Sequence, residues 1–238
     1  MPPQKTQGIV LGFTDWHETS KIVTFYTKDS GKIKGVAKGA KRAKSKFSPL
    51  EILSRHTIVF YKREDKDLYT LSECQARETF PHIRKDIKKI AYGAYLAELI
   101  DAVSTSEKNE ALFDLFSKAL HFLERKEDSE IIVRAFETRL LDILGFGLHL
   151  DSCLICKKEL KNNFKFNPGL GGLICIYHSQ GGIRISEETR NFLRNPGIKK
   201  VSSETRKELK TVLQNFILYH IGKRFKSLDF LEAIESNR

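Results

Sequence analysis

Apolar and polar positions along the first 80 residues fall into short runs rich in β-branched and aromatic residues, a pattern typical of β-strands. The turn Asp29-Ser30-Gly31 supplies the glycine that a tight hairpin needs. A polar basic loop covers 39–49, and residues 64–67 link the last two runs. The pattern predicts five strands, four of them at 6–13, 21–26, 32–37 and 52–61 and a fifth that begins with 68–71. Five short strands in so short a stretch favour a small barrel or sandwich.

After Pro81 the apolar positions change to helical spacing. Ser104-Thr105-Ser106-Glu107 has the pattern of a capping box and predicts the start of the second helix. His220 falls on the last apolar stripe, where we expect a buried structural histidine. Helices are predicted over 87–103 and along apolar stripes from Leu112 to Leu123, from Ile132 to Leu144 (ending at Gly145 or Gly147) and from Leu209 to Ile221. The chain is therefore expected to be a multi-domain α+β protein, with a β-domain at 1–80 and a helical domain at 81–238.

The composition predicts a folded protein without a membrane-spanning helix. The chain has 238 residues, of which 40% are hydrophobic. No apolar run reaches the length of about 18 residues that a membrane span needs. The apolar patch at 8–12 is too short for the core of a signal peptide, so we expect a cytoplasmic location.

Positive charge is concentrated at the two ends of the chain. Residues 1–80 carry 15 basic and 9 acidic residues, 81–150 carry 10 and 12, and 151–238 carry 16 and 9. The densest basic stretch is 28–46, and a second group of Lys and Arg lies between Arg194 and Lys226. With a formal net charge of +11, this distribution favours a polyanionic partner.

The basic loop also carries an aromatic residue. Lys and Arg neutralise phosphates without reading sequence, and aromatic rings stack on unpaired bases. Adjacent aromatic residues on the strands, such as Phe25-Tyr26 and Phe60-Tyr61, should each place one ring in the core. The predicted nucleic-acid-binding residues are Lys34, Lys38, Lys41, Arg42, Lys44, Lys46 and Phe47.

In a cytosolic protein we do not expect the four cysteines of the chain to form disulfides, and three of them belong to a metal-binding pattern. Cys153, Cys156, Cys175 and His178 have the spacing C-x2-C-x18-C-x2-H. Two ligands three residues apart can reach one ion from a tight turn, and two such knuckles provide the four ligands of tetrahedral Zn²⁺. We therefore predict one structural Zn²⁺ in a segment at about 150–185. Cys74 is interpreted as a core residue.

Sequence motifs of the common enzyme classes are missing. The chain contains no phosphate-binding G-x-x-x-x-G-K-[ST], no H-E-x-x-H and no G-x-S-x-G. The H-x-E and P-C-x-x-C pattern of zinc deaminases is missing too. A non-enzymatic protein without a small-molecule substrate is expected.

The order of these features resembles the bacterial recombination mediator RecO family. The resemblance spans roughly residues 5–185, and it depends on order and spacing, since no single motif is diagnostic. Many zinc-containing members have Cys where this chain has His178, and some members lack the site. The motifs that carry the resemblance are Gly8-Ile9-Val10-Leu11, the segments 18–23 and 31–40, Phe136-Glu137, Leu140-Leu141, Leu144-Gly145-Phe146, Cys153-x2-Cys156 and 171–175.

The resemblance implies a barrel of the oligonucleotide-binding (OB) type with five strands, followed by an all-helical domain that carries the zinc knuckles. It further implies binding to single- and double-stranded DNA and annealing of complementary strands. RecO proteins act with RecR, and often RecF, to load RecA onto DNA coated by single-strand-binding protein. By the same resemblance the basic loop would meet DNA, and Cys153, Cys156, Cys175 and His178 would hold the zinc. A cytoplasmic, nucleoid-associated location follows from this role.

Two alternatives are compatible with the residues. An RNA-binding or ribosome-associated protein could use the same barrel and knuckles, because both nucleic acids share the phosphate backbone. A zinc hydrolase or deaminase acting on nucleic acid would need an open coordination position on the metal. Preference between matched RNA and DNA strands tests the first, and the number of protein ligands tests the second.

Overall fold

Five strands close a barrel at the N-terminus of the computed structural model, which describes residues 2–61, 68–125, 128–178 and 181–236. The first strand pairs with both the second and the fourth, and the third pairs in parallel with the fifth. The resulting order β1-β2-β3-β5-β4 is that of an OB barrel, as expected. The linker predicted at 64–67 lies outside the described residues. The strands are β1 (Gln4–Trp16), β2 (Ser20–Thr27), β3 (Gly31–Ala37), β4 (Arg55–Tyr61) and β5 (Leu68–Glu78).

Alternation of side chains fills the barrel core. On β4, Ile58 and Phe60 are buried while Tyr61 is exposed, as the period of two requires. Gly35 lies where a Cβ atom would be 2.7 Å from the Leu71 side chain, so β3 and β5 can approach closely only with glycine there. The core consists of Val10, Val23, Phe25, Ile33, Ala37, Phe47, Leu50, Ile58, Phe60, Leu71 and Cys74.

A buried polar chain crosses this core. The Cys74 sulfur lies 3.3 Å from Nδ1 of His56, and Nε2 of His56 lies 2.7 Å from Oγ of Ser54, which donates to the carbonyl of Glu51. Burial lowers the pKa of His56 to about 4 and raises the pKa of Cys74 to about 12. Both groups are therefore neutral at pH 7, with the thiol donating to Nδ1 and Nε2–H donating to Ser54. Cys74 is a core residue, in agreement with its interpretation from sequence.

Helices and a small sheet follow the barrel. The helix predicted at 87–103 is confirmed, and Gly145 and Gly222 end α3 and α5 with positive φ angles of 82° and 68°. Among the described helices none is both long and apolar enough to cross a membrane. The elements are a 3₁₀ turn (Ile83–Lys85), α1 (Ile87–Val103), α2 (Glu110–Glu124), α3 (Ser129–Ile143), β6 (Phe164–Asn167), β7 (Gly172–Cys175), β8 (Ile183–Arg184), α4 (Glu187–Arg194), α5 (Ser203–Ile221) and α6 (Lys226–Ser236).

The predicted capping box at 104–107 is wrong. The helix α2 begins five residues later than the Ser104 position implied, and Asn109 caps it by accepting a hydrogen bond from the backbone N–H of Leu112. The segment is used instead by the barrel, because the N–H of Lys32 donates to the carbonyl of Thr105 at 2.7 Å. A tertiary contact has therefore replaced the local cap.

The chain divides into two compact units, and the first comprises Met1–Lys126 with Phe225–Arg238. It contains the barrel with α1, α2 and α6, so helices that follow residue 80 pack with the barrel. The Lys32 ammonium pairs with Asp101 at 3.3 Å and donates to the Asp101 carbonyl. Helix α6 is held on α1 by Ser227, whose hydroxyl donates to Glu98 at 2.7 Å.

The second unit, Glu127–Arg224, contains α3, α4, α5 and the sheet ordered β7-β6-β8. Buried Arg190 on α4 organises its loops by donating to the carbonyls of Leu150 and Leu160, both at 2.8 Å. Its guanidinium also lies 5.1 Å from the centre of the Phe164 ring. His220 is half-buried and packs against aromatic rings on α5 and after α3, which gives it the structural role expected of it.

Candidate nucleic-acid interface and metal centre

The basic loop between β3 and β4 presents its cations to solvent. Lys34 lies on β3 itself, and the other predicted basic residues follow that strand; all six are exposed: Lys34, Lys38, Lys41, Arg42, Lys44 and Lys46. Lys41 pairs with Asp15 at 2.9 Å, and this hydrogen bond lowers the pKa of the Asp15 carboxyl. The other five have no ion-pair partner in the part of the chain that the structure describes. Their positive charge is therefore uncompensated and available to a polyanion.

A groove of about 750 Å³ lies beside this loop, and we call it the basic groove. Its lining combines an aromatic ring, Phe13 on β1, with the cationic side chains of Lys21 and Arg42 and the hydroxyl of Ser45. The Lys21 ammonium lies 3.8 Å from the centre of the Phe13 ring. A cationic groove beside an aromatic ring is the combination that holds single-stranded nucleic acid.

The stacking role predicted for Phe47 does not fit the structure. Phe47 lines the basic groove but is only 6% exposed, and its ring packs in the barrel core. The loop turns inward here because removing an apolar ring from water into the barrel core lowers the free energy of the folded protein. Of the strand aromatics considered with it, Phe25, Tyr26 and Phe60 are also buried, and Tyr61 is exposed.

Two exposed aromatic residues on the hairpin of β1 and β2 were missed from sequence, and one of them, Phe13, lines the groove. Strand β1 continues to Trp16, three residues beyond its predicted end, and carries Phe13 and Trp16 on a hairpin with β2. Trp16 is 43% exposed and is the single tryptophan of the chain. The signal that could have found them is the presence of Phe13 and Trp16 just before the first turn, since OB barrels commonly contact nucleic acid through the loop joining the first two strands.

The second basic group predicted from sequence is partly neutralised by acidic neighbours. Arg206 on α5 pairs with Asp128, with one contact of 3.0 Å, and with Glu130 at 3.3 Å. The hydrogen bond from Arg206 lowers the pKa of Asp128. Arg194 pairs with Asp151 at 2.7 Å. These arginines therefore stabilise the second unit, and the uncompensated charge of the basic loop is the stronger candidate for a binding surface.

The four predicted metal ligands are brought together in the second unit. The ligand atoms of Cys153, Cys156, Cys175 and His178 all lie within 4.8 Å of one another. Backbone hydrogen bonds close both knuckles: Lys157 N–H donates to the Cys153 carbonyl at 2.9 Å, and His178 N–H donates to the Cys175 carbonyl at 3.3 Å. The spacing C-x2-[CH] is therefore realised as two tight turns that face one point.

The residues present fit a tetrahedral metal ion. The Cys156 and Cys175 sulfurs lie 3.9 Å apart, and two sulfurs bound at about 2.3 Å to one tetrahedral zinc lie about 3.8 Å apart. The Nε2 atom of His178 is buried without a hydrogen-bond partner among the described residues. Burial raises the pKa of the Cys153 thiol, but hydrogen bonds from the backbone N–H groups of Cys156, Cys175 and Ile155 outweigh it, and the pKa falls to about 6. A thiolate with N–H donors and an unpartnered imidazole can hold a divalent ion.

Fold and site together define a class of protein: a five-stranded OB barrel with an exposed basic loop, followed by helices that carry a Cys₃His cluster. Comparison with known families agrees with this description. The family model "Recombination protein O N terminal" matches residues 1–80, and "Recombination protein O C terminal" matches residues 84–229.

Similar proteins over almost the whole length of the chain carry the name DNA repair protein RecO. The protein of Alkaliphilus metalliredigens is 32% identical, over 97% of this chain and 99% of its own. That of Syntrophus aciditrophicus is 33% identical, over 97% and 96%. That of Bacillus cytotoxicus is 31% identical, over 98% of both chains. The chain belongs to the RecO family of DNA repair proteins.

Proposed function

We propose that this protein is a recombination mediator in DNA repair. It binds single- and double-stranded DNA, anneals complementary strands, and acts with RecR, and with RecF, to help load RecA onto DNA coated by single-strand-binding protein. It works in the cytoplasm at the nucleoid, by binding and positioning DNA without catalysing a reaction. Membership of the RecO family of DNA repair proteins supports this proposal.

The observation that carries the proposal is the basic groove with the exposed loop beside it. Five exposed cations without ion-pair partners among the described residues lie on β3 and in the loop after it, and one of them, Arg42, lines the groove together with the Phe13 ring. Lys and Arg here release counterions from the phosphate backbone, while the ring offers a surface for an unpaired base. This combination binds strands without reading their sequence, which is what annealing of any complementary pair requires.

The Cys₃His cluster is proposed to hold one Zn²⁺ with a structural role. Three thiolates and one imidazole are the ligands that zinc prefers in such knuckles, and the pair of knuckles would join β6 and β7 to the loop before them. A catalytic zinc keeps one coordination position for water, whereas four protein ligands here fill a tetrahedral shell. The donor set therefore favours stabilisation over hydrolysis or deamination.

Trp16 provides a direct test of binding at the barrel. Because it is the single tryptophan and lies on the hairpin that lines the groove, an oligonucleotide bound there should quench its emission saturably. The apparent affinity for single-stranded DNA should fall at least several-fold between 50 and 200 mM salt, since phosphate contacts dominate. The variant Trp16→Phe has no tryptophan and is the blank for this fluorescence titration.

The same titration separates DNA from RNA. A matched RNA strand added as a competitor should displace DNA only weakly if the proposal is correct. A clear preference for RNA would favour the RNA-binding alternative. Equal affinity at both salt concentrations would contradict a phosphate-binding groove altogether.

A further inference from the structure

The two metal-binding knuckles carry exposed apolar side chains at their tips. Tyr177, which precedes His178, is 89% exposed, so its ring makes almost no contact with the rest of the chain. Ile155, which precedes Cys156, is exposed as well. A large aromatic ring left in water in this way gains nothing for stability, and aromatic residues are enriched where proteins contact partners.

These two side chains each stand next in sequence to a ligand of the same cluster. Each immediately precedes the second ligand of its own knuckle, and the four ligand atoms lie within 4.8 Å of one another. The turn that carries Ile155 is closed by the hydrogen bond from Cys153 N–H to the Lys158 carbonyl, at 2.9 Å. We call the exposed residues Ile155, Lys157, Lys158 and Tyr177 of the two knuckles the knuckle tips.

Charge around the knuckle tips is positive and unpaired. Between 153 and 178 the chain has four lysines, at 157, 158, 161 and 165, and one acid, Glu159. None of these lysines has an ion-pair partner in the described ranges, and 157, 158 and 161 are exposed. Lys165 on β6 lies directly opposite Arg184 on β8, and like charges in this position destabilise a sheet. An anionic partner would relieve that repulsion.

We propose that the knuckle tips are a second contact for single-stranded nucleic acid. Tyr177 stacks on an unpaired base, and Lys157 and Lys158 hold the neighbouring phosphates. The lysines without ion-pair partners favour a polyanion, and the exposed ring of Tyr177 favours an unpaired base. The inference rests on the proposed DNA-binding function and extends it to a surface far along the chain from the basic groove.

Substitution of Tyr177 tests the stacking contact in the full-length protein. Tyr177→Ala should weaken binding of a labelled oligo(dT) strand about 5- to 100-fold in fluorescence anisotropy, the range typical of one lost base–aromatic contact. Tyr177→Phe keeps the ring and should stay within about twofold of the unmodified protein. Affinity for a blunt duplex should be unchanged by Tyr177→Ala, because paired bases are not free to stack on the ring.

Matched variants identify the cause of any loss. Tyr219→Ala removes a tyrosine that is 64% exposed on α5 of the same unit, and it should leave affinity unchanged. Lys157→Gln with Lys158→Gln should reduce the salt dependence of oligo(dT) binding by about 1.4 logarithmic units per unit of log salt, as expected for two lost phosphate contacts. Metal content should equal that of the unmodified protein in every variant, because none of these side chains is a ligand.

The outcomes separate this inference from the proposed function. Weakened oligo(dT) binding by Tyr177→Ala, rescued by Phe, supports the knuckle tips as a contact. Normal binding by Tyr177→Ala, in a protein whose binding still depends on Arg42 and Lys44, overturns the inference and leaves the barrel interface in place. If the unmodified protein binds neither DNA nor RNA, the proposed function fails and the inference fails with it.

Discussion

Replacement of Cys156 by alanine should abolish the proposed zinc binding and destabilise the Glu127–Arg224 unit. The strands β6, β7 and β8 contain only 4, 4 and 2 residues, too few to bury a core of their own. Zinc binding contributes about 10–16 kcal/mol to the folding of zinc-finger peptides, so loss of one ligand should cost several kcal/mol here. Metal content measured by mass spectrometry should fall from about one equivalent per chain towards zero.

Cys74→Ala is the matched control for this experiment. Cys74 lies in the barrel core, outside the Cys₃His cluster, so this variant should keep its full metal content even if the barrel is weakened. The emission of Trp16 should be unchanged in Cys156→Ala, because the tryptophan belongs to the other compact unit. Unchanged metal content and unchanged thermal stability in Cys156→Ala would refute the assignment of the cluster.

Charge reversal in the basic loop should give the largest loss of DNA binding. Arg42 and Lys44 are the residues of choice, since both are exposed and neither is held by Asp15 as Lys41 is. The double variant Arg42→Glu, Lys44→Glu should weaken binding of single-stranded DNA about 10- to 100-fold at 50 mM salt. It should also reduce the slope of log affinity against log salt by about 1.4, because each phosphate contact on a single strand contributes about 0.7.

A control with the same change in net charge shows whether position matters. Lys5→Glu with Lys118→Glu alters two exposed lysines of the same unit that do not line the basic groove. Its affinity should fall only slightly, through the general field of the protein. Thermal stability should be nearly unchanged in both double variants, since exposed substitutions usually stay within about 0.5 kcal/mol. Equal losses of DNA affinity in the two double variants would show that the binding site lies outside the loop.

Sequence patterns predicted those parts of the molecule that depend on local spacing. Runs rich in β-branched and aromatic residues placed the five barrel strands, helical spacing of apolar residues placed α2, α3 and α5, and the C-x2-C and C-x2-H spacings named four side chains that converge within 4.8 Å. In each case neighbours in sequence decide the geometry, because a strand, a helix turn or a knuckle is defined within a few residues.

Features set by long-range contacts were not predictable in the same way. Phe47 lies in a polar basic loop, and only the position of the barrel end shows that its ring is buried. Ser104 has the pattern of a helix cap, but its segment pairs with Lys32 on β3 instead. The extension of β1 to Trp16 depends on pairing with β2, and neither α4 nor α6 has a long apolar stripe. These features arise from packing, which overrides local preference.

The proposed mediator function is tested most directly by strand annealing on coated DNA. Two complementary labelled oligonucleotides, one precoated with single-strand-binding protein, are mixed with and without this protein, and duplex formation is followed by energy transfer. We expect the protein to accelerate annealing through the coat, and Arg42→Glu with Lys44→Glu to abolish most of this acceleration. Binding to DNA without any acceleration of annealing would contradict the mediator function.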